Sequence, residues 1–524
     1  MAYATGAASC DESGEGFVQV FIMVAGVFTG AHVWQETVAR LIAAGSAAHA
    51  VPLTGIDPAR PAPPAQVGLE THIEDVIAAI DAVDVTSGRE IVLVGHDYGI
   101  HPVLGAADRR AERVARVVYL DCGMPQNGVP ALAAVPDQAL RTQLAERAEA
   151  GERDGVLAPP AHGEWGRWGS TAGVGEAALE RLTALAVPQP LATLLQPLRL
   201  TGAVAAVPVT GVLCARNGAS IDMVQRLVDF GDPALAVLTE PQVSFFELPT
   251  GHWPMLSCPD TLADVLLGAA AGEGHRLRPA GDDAPAPAHL RPFPLDVPEL
   301  PRDRQGHVDL YVPDGEGPRP AVVFVHGGPV PAGARPRPRE WPTLVGYARL
   351  AAAEGMVGAT LDHRLHDVAD YDRAAADIAA AVEQVRADPR VDADRIALWF
   401  FSGGGLLTTD WLAQPPAWLR CLAASYPVLA PLPAWGMAGS RFHPARAVDQ
   451  AGPLPVVLLR AGREAPEIAA TVDAFVTAAK GCAARLELVD VPNGHHGFET
   501  IDPPEETLPA LHHAMRSVVA HLTG

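Results

Sequence analysis

Ile91-Val-Leu-Val-Gly-His-Asp-Tyr-Gly99 decides the architecture of the first half of this 524-residue chain. An apolar run rich in β-branched residues meets Gly95-His96-Asp97-Tyr98-Gly99, and the small residues Gly105, Ala106 and Ala107 follow. The pattern predicts a strand, a tight turn and a helix. That is a nucleophile elbow, which lifts one side chain above the sheet edge. Gly95 and Gly99 flank the turn because a Cβ there would crowd the backbone. Ser is the usual occupant of the raised position and makes acyl esters; here it is Asp97. A carboxylate instead attacks saturated carbon, giving an alkyl ester that water must then open. The expectation for this half is therefore epoxide opening or halide displacement.

Composition narrows the partners. The length suits roughly two to four domains, and 48% hydrophobic residues allow a large core. A net charge of -23 argues against nucleic acid or an anionic membrane as partner. Lys480 is the single lysine, and the abundance of Arg, Ala, Gly and Pro is typical of GC-rich bacterial genomes. Six cysteines (Cys10, Cys122, Cys214, Cys258, Cys421, Cys482) form no CxxC or CxxH pair, which reads as a reduced, cytoplasmic setting without structural zinc. The N-terminus has no basic stretch followed by a long apolar run, and no segment is apolar enough to span a bilayer.

Strand-like runs alternate with Ala-rich helical stretches in both halves, implying α/β architecture with mainly parallel sheets. A Pro-rich, charged stretch over residues 273–299 divides the chain into a first domain, 1–272, and a second, 300–524. Each half repeats one order of signals. A strand ends in a Gly loop (Ala25-Gly26; His326-Gly327-Gly328), a later strand ends in an elbow (Asp97; Ser402), and a Gly-His element comes near the end (Gly251-His252; Gly494-His495-His496-Gly497-Phe498). The expected fold is two tandem α/β-hydrolase domains, each a parallel sheet flanked by helices. The first would carry a helical lid at about 124–200.

Phe21 to Trp34, Val92 to Gly99, Val117 to Asp121, Pro188 to Ala192, Val209 to Asn217 and Thr250 to Met255 together resemble the small α/β-hydrolases related to plant methylesterases and hydroxynitrile lyases. Three positions depart from that family: its Ser is Asp97, its oxyanion-loop His is Ala25, and its acid is Asn217. Asp at the elbow instead resembles epoxide hydrolases and haloalkane dehalogenases. The resemblance implies attack by Asp97, oxyanion donors at the Tyr98 and Val27 amides, and His252 as base for the hydrolytic water. Asp121, at the end of the next strand, is the candidate to support His252; Asn217 is neutral and can only orient it. The lid contains no Tyr to activate an epoxide but offers His162, Trp165 and Trp168, and an indole N–H can donate to an epoxide oxygen or a halide. Packing of the lid is the alternative role for both indoles.

Val325 to Gly328, Leu361 to Leu365, Ala397 to Gly405 and His495 to Phe498 resemble the dienelactone-hydrolase and esterase group. This implies Ser402 as nucleophile, His496 (with His495 second) as base, Glu464 as acid, and Gly403 with the Gly327-Gly328 loop as oxyanion donors. Phe400 occupies a position normally small, which predicts a distorted turn or a plugged pocket. The leading expectation is a cofactor-independent hydrolase, with no metal, that opens an epoxide on a small apolar metabolite, secondary metabolites included. The alternatives are a dehalogenase, a lyase or cyclase using Asp97 and His252 as acid and base, and a Ser402 esterase whose first domain only binds. A small-molecule substrate and a second copy of the chain, as a homodimer, are the candidate partners.

Overall fold

Arg89–His96 forms a strand buried along most of its length, and Ile100–Arg109 forms the helix that follows the turn. In the computed structural model, residues 18–84, 88–152, 154–279, 286–432, 435, 437 and 439–524 are described. Cys10 and residues 280–285 of the Pro-rich stretch lie outside them.

The chain divides into two units, 1–225 with 237–278, and 226–236 with 279–524. In the first, the strands are β1 (Val18–Val24), β2 (Ala47–Ala50), β3 (Arg89–His96), β4 (Val114–Leu120), the short β5 (Val156–Leu157) and β6 (Gln189–Pro190), β7 (Val209–Cys214) and β8 (Val243–Leu248). The main sheet has the order β2-β1-β3-β4-β7-β8 and is parallel throughout. Helices cover both faces, which is why β1 and β3 read as continuous apolar runs rather than alternating ones. The segment between β4 and β7 holds β5 and β6, paired antiparallel, and the helices Gln138–Glu149, Glu176–Leu185 and Leu191–Leu195.

The second unit has β9 (Asp303–Gln305), β10 (Val308–Tyr311), β11 (Arg319–Val325), β12 (Val357–Leu361), β13 (Val391–Phe401), β14 (Leu419–Ser425), β15 (Val456–Ala461) and β16 (Leu486–Val491). Their order is β16-β15-β14-β13-β11-β12-β10-β9, parallel except for β9 and β10. The run β12-β11-β13-β14-β15-β16 repeats the first sheet strand for strand. In both sheets the loops that carry chemistry leave the carboxyl ends of adjacent strands, where open α/β sheets bind ligands.

Two boundaries differ from the sequence expectation. Residues 226–236 group with the second unit, where Phe230 stacks on Trp341 with centroids 5.8 Å apart and Asp232 Oδ2 accepts the Gly333 N–H at 3.1 Å. Residues 286–299 are not a free spacer: Phe293 packs on Tyr347 at 5.3 Å, and Leu295 and Val297 pack against the same core. Polarity and proline signalled a linker, but these three apolar side chains give it a surface to bind. Among the described residues no helix is long and apolar enough to cross a membrane. None of their His, Cys, Asp and Glu side chains cluster in threes able to hold a metal ion.

Candidate active sites

In the first unit β3 delivers Asp97 at φ 49°, the left-handed geometry of an elbow. The two elbow glycines are required by close approach. A Cβ on Gly95 would stand 2.5 Å from Ile100 Cα, and one on Gly99 2.6 Å from the Val24 and Ala25 carbonyl oxygens. The Val27 N–H donates to Asp97 Oδ2 at 3.1 Å. Gly26 leaves room for this, since a Cβ there would meet that same Oδ2 at 2.8 Å. One carboxylate oxygen is thus anchored on the loop amide, and among the described residues Oδ1 has no such anchor.

His252 follows β8. Its Nδ1 donates to Asp121 Oδ2 at 2.7 Å, and its backbone carbonyl is held by His96 Nε2 at 2.8 Å. Asp121, itself at φ 48°, also accepts the Cys214 N–H at 3.0 Å and the Asn217 amide at 2.7 Å. Asn217 Oδ1 in turn accepts the Ser170 N–H at 2.7 Å. Burial opposes both charges, yet the bond and the charge of Asp121 hold His252 above the ordinary imidazole range, and Asp121 lies below the ordinary carboxylate range. Asp121 thus brings the charge beside His252, and the Asn217 amide holds that carboxylate in place.

Of the two roles open to the indoles, substrate donor or packing, the contacts favour packing. The Trp165 N–H is spent on Thr183 Oγ1 at 2.8 Å, and its ring packs edge-on against Trp253 at 5.5 Å. Trp168 packs edge-on against Phe28 at 4.7 Å. Trp165 is thus lid core and not a substrate donor, because a buried indole must satisfy its N–H internally. The Tyr98 phenol bonds His72 Nδ1 at 2.7 Å and is buried. His162 pairs with Glu176 at the surface. Sequence reading missed Gly169, where a Cβ would lie 2.5 Å from His252 Cβ, and Gln189, whose Oε1 accepts the Phe28 N–H at 3.1 Å. Gly169 carries no sequence signal, whereas Gln189 falls within the Pro188 to Ala192 stretch that carries the resemblance.

The second unit brings Ser402, His496 and Glu464 into one relay. Ser402 stands at φ 51° at the end of β13. Its Oγ lies 2.7 Å from His496 Nε2, and His496 Nδ1 lies 2.6 Å from Glu464 Oε2. Glu464 Oε1 accepts the Ala465 N–H at 2.8 Å, so both carboxylate oxygens are committed. The glycines hold the oxyanion loop close. A Cβ on Gly327 would meet Ser402 Cβ at 2.8 Å, and one on Gly403 would meet the Gly328 carbonyl oxygen at 2.1 Å. His495 is turned elsewhere, to Asp502 at 2.7 Å. A cavity of about 570 Å³ in this unit is lined by His326, Val330, Asp362, His363 and His366 among others; Ser402, His496 and the Gly327-Gly328 turn are not among its lining residues.

Phe400 neither distorts the elbow nor plugs the pocket. Side chains alternate along β13, so Phe400 is fully buried in the core with Leu398, while Trp399 and Phe401 face the other layer. The turn after it runs as a 3-10 helix over Ser402–Leu407 through three consecutive glycines. The other residues that sequence reading missed are Glu499, Tyr347 and Tyr426. Glu499 is 2% exposed and accepts the Tyr347 hydroxyl at 2.7 Å.

The Alpha/beta hydrolase family (Abhydrolase_6) model matches residues 21–265, and the BD-FAE model matches residues 308–410. A carbendazim hydrolyzing esterase of Nocardioides sp. (strain SG-4G) is 34% identical over 116 residues, 22% of this chain and 47% of that one. Esterase PIR7B of Oryza sativa subsp. japonica is 36% identical over 106 residues, 20% of this chain and 39% of the relative. The chain thus matches less than half the length of each. Among solved structures, an extracellular alpha/beta-hydrolase from a Paenibacillus species covers 48% of this chain and 98% of its own, at 18% identity and TM-score 0.37. A Thermogutta terrifontis esterase, Est2, covers 41% and 88%, at 21% identity and TM-score 0.34. The chain has the α/β-hydrolase fold, a parallel sheet flanked by helices, with a second unit in its C-terminal half built on the same strand order.

Proposed function

We propose that the chain is a serine-dependent carboxylic-ester hydrolase whose chemistry runs at Ser402. The observation that carries this is the relay Ser402 Oγ–His496 Nε2 (2.7 Å) and His496 Nδ1–Glu464 Oε2 (2.6 Å). Glu464 fixes the tautomer with hydrogen on Nδ1, leaving the Nε2 lone pair facing the hydroxyl. Ser402 Oγ attacks the ester carbonyl as its proton passes to Nε2. The oxyanion is received by the Gly403 amide and the Gly327-Gly328 loop. His496 then protonates the departing alcohol. Water, deprotonated by the same nitrogen, releases the carboxylic acid from the acyl-serine. The substrate is a small ester. A cytoplasmic location suits the five described cysteines, all unpaired, and the strongly negative chain leaves nucleic acid out. A homodimer remains part of the proposal. The test is hydrolysis of 4-nitrophenyl acetate by the wild type and by Ser402→Ala. Loss of turnover is expected; retention would remove Ser402 as nucleophile.

A second reading belongs to the first unit, and the Asp97–Val27 and His252–Asp121 bonds favour it. With Oδ2 anchored, Asp97 Oδ1 would attack an sp³ carbon, opening an epoxide or expelling a halide. His252 would then activate water against the alkyl ester. Single turnover in labelled water would leave the label in the Asp97 carboxylate; turnover with unlabelled Asp97 would end this reading.

A further inference from the structure

We propose that Glu499 is a positioning residue of the Ser402 site: with Tyr347 and Tyr426 it forms a buried carboxyl–phenol cluster that braces His496 and adjusts its basicity. The inference rests on the reading of Ser402 as nucleophile.

Other buried carboxylates of this unit face guanidinium groups, as Asp309 does with Arg304 and Asp388 with Arg390. Glu499 does not. The groups facing it are the Tyr347 hydroxyl on the helix Pro342–Ala353, the Tyr426 hydroxyl beyond β14, and the imidazole of His496 three residues earlier. A carboxyl buried without a cation is costly unless hydrogen-bonded, so two phenols form its natural seat.

The cluster also has reach. Tyr347 packs on Phe324, Trp399 and Phe401, the floor beneath the elbow. Tyr426 sits at φ 36°, a left-handed conformation that costs a non-glycine residue energy and persists only where surroundings enforce it. Its ring meets His496 at 5.0 Å and Phe498 at 5.3 Å, both edge-on. Because β14 pairs Ser425 with Phe401, Tyr426 lies one residue past the strand end beside Ser402. Glu499 thus ties the histidine loop to the strands under the nucleophile. Burial pushes its carboxyl up to about 7, so it ionises in the range where an imidazole base works. Ionised, it places negative charge near His496 and favours the imidazolium.

Two measurements on the full chain test this. In the first, 4-nitrophenyl acetate hydrolysis is followed across pH for Glu499→Gln and Glu499→Leu. The Leu variant should lose about ten- to a hundredfold in kcat with KM little changed, the signature of misaligned chemistry rather than lost binding. Gln should recover to within about threefold, with its rising limb moved to lower pH by about half a unit or more. In the second, the His496 imidazole is titrated by NMR in Ser402→Ala with and without Glu499→Gln. A lower His496 pKa in the Gln background is expected, and this readout needs no turnover. Wild-type kcat and limb in both variants, or an unshifted His496 titration, overturns the proposal. Should Glu499→Leu fail to fold, the near-isosteric Gln variant decides alone. If Ser402→Ala retains full esterase activity while His496 still shifts, the nucleophile assignment fails and the bracing of His496 stands.

Discussion

Replacing Glu464 by Gln separates charge and tautomer from shape. The native carboxylate accepts twice: Oε1 from the Ala465 N–H at 2.8 Å and Oε2 from His496 Nδ1 at 2.6 Å. In Glu464→Gln the amide oxygen keeps the Ala465 bond, because only an acceptor can face a backbone N–H. That turns the amide NH₂ towards His496 Nδ1, which must then be the unprotonated nitrogen. The hydrogen moves to Nε2 and points at Ser402 Oγ, so the base is lost while every heavy atom stays in place. Triads with the wrong tautomer lose about four orders of magnitude in kcat, or about 5 kcal/mol of barrier. Glu464→Asp keeps the charge but shortens the reach, and should lose about ten- to a hundredfold. Initial rates on 4-nitrophenyl acetate, with active-site titration, measure both. A Gln variant within tenfold of wild type, or one weaker than Asp only in KM, would refute the reasoning.

Three further outcomes are expected. Phe400→Ala should destabilise the second unit by about 3–5 kcal/mol, read from denaturation midpoints, because it empties a fully buried site; higher esterase activity would instead revive the idea of a plugged pocket. Asp121→Asn removes the charge that holds His252 up, so burial should carry the His252 titration below its ordinary range; an unchanged NMR titration would show that Asp121 does not charge that ring. Glu499 has a folded pKa raised from 4.5 to about 7, so its contribution to stability is full below 4.5 and lost as pH rises through 7. Glu499→Gln should accordingly gain on wild type by about 3 kcal/mol between pH 5 and pH 8; parallel stability curves would contradict it.

The strands and elbows were legible because their signals are local. Val92 to Gly99 and Ala397 to Gly405 each write a buried strand and a glycine turn within a few residues. Ser402, His496 and Glu464 could be picked out because each follows its own strand. Other features depend on contacts between residues far apart in sequence. Phe400 looked obstructive because a one-dimensional pattern shows that a small residue is missing, not which face of β13 the large one occupies. Trp165 looked available because nothing near it announces Thr183 as its partner. Glu499 passed unnoticed in His496-Gly497-Phe498-Glu499, since its seat is built by Tyr347 and Tyr426, 152 residues away in the case of Tyr347. Residues 286–299 show the limit of composition: proline suggested a spacer, and three apolar side chains attach it to the second unit.

The central claim is that an acyl group passes through Ser402. Rapid mixing of the full chain with 4-nitrophenyl acetate, acid quenching, digestion and peptide mass spectrometry would locate that group directly. One acetyl per chain on the Ala397 to Leu407 peptide, absent in Ser402→Ala and accumulating in Glu464→Gln only slowly, is the expected result. Steady turnover with that serine unmodified at every quench time, or an acyl group on another residue, would contradict it.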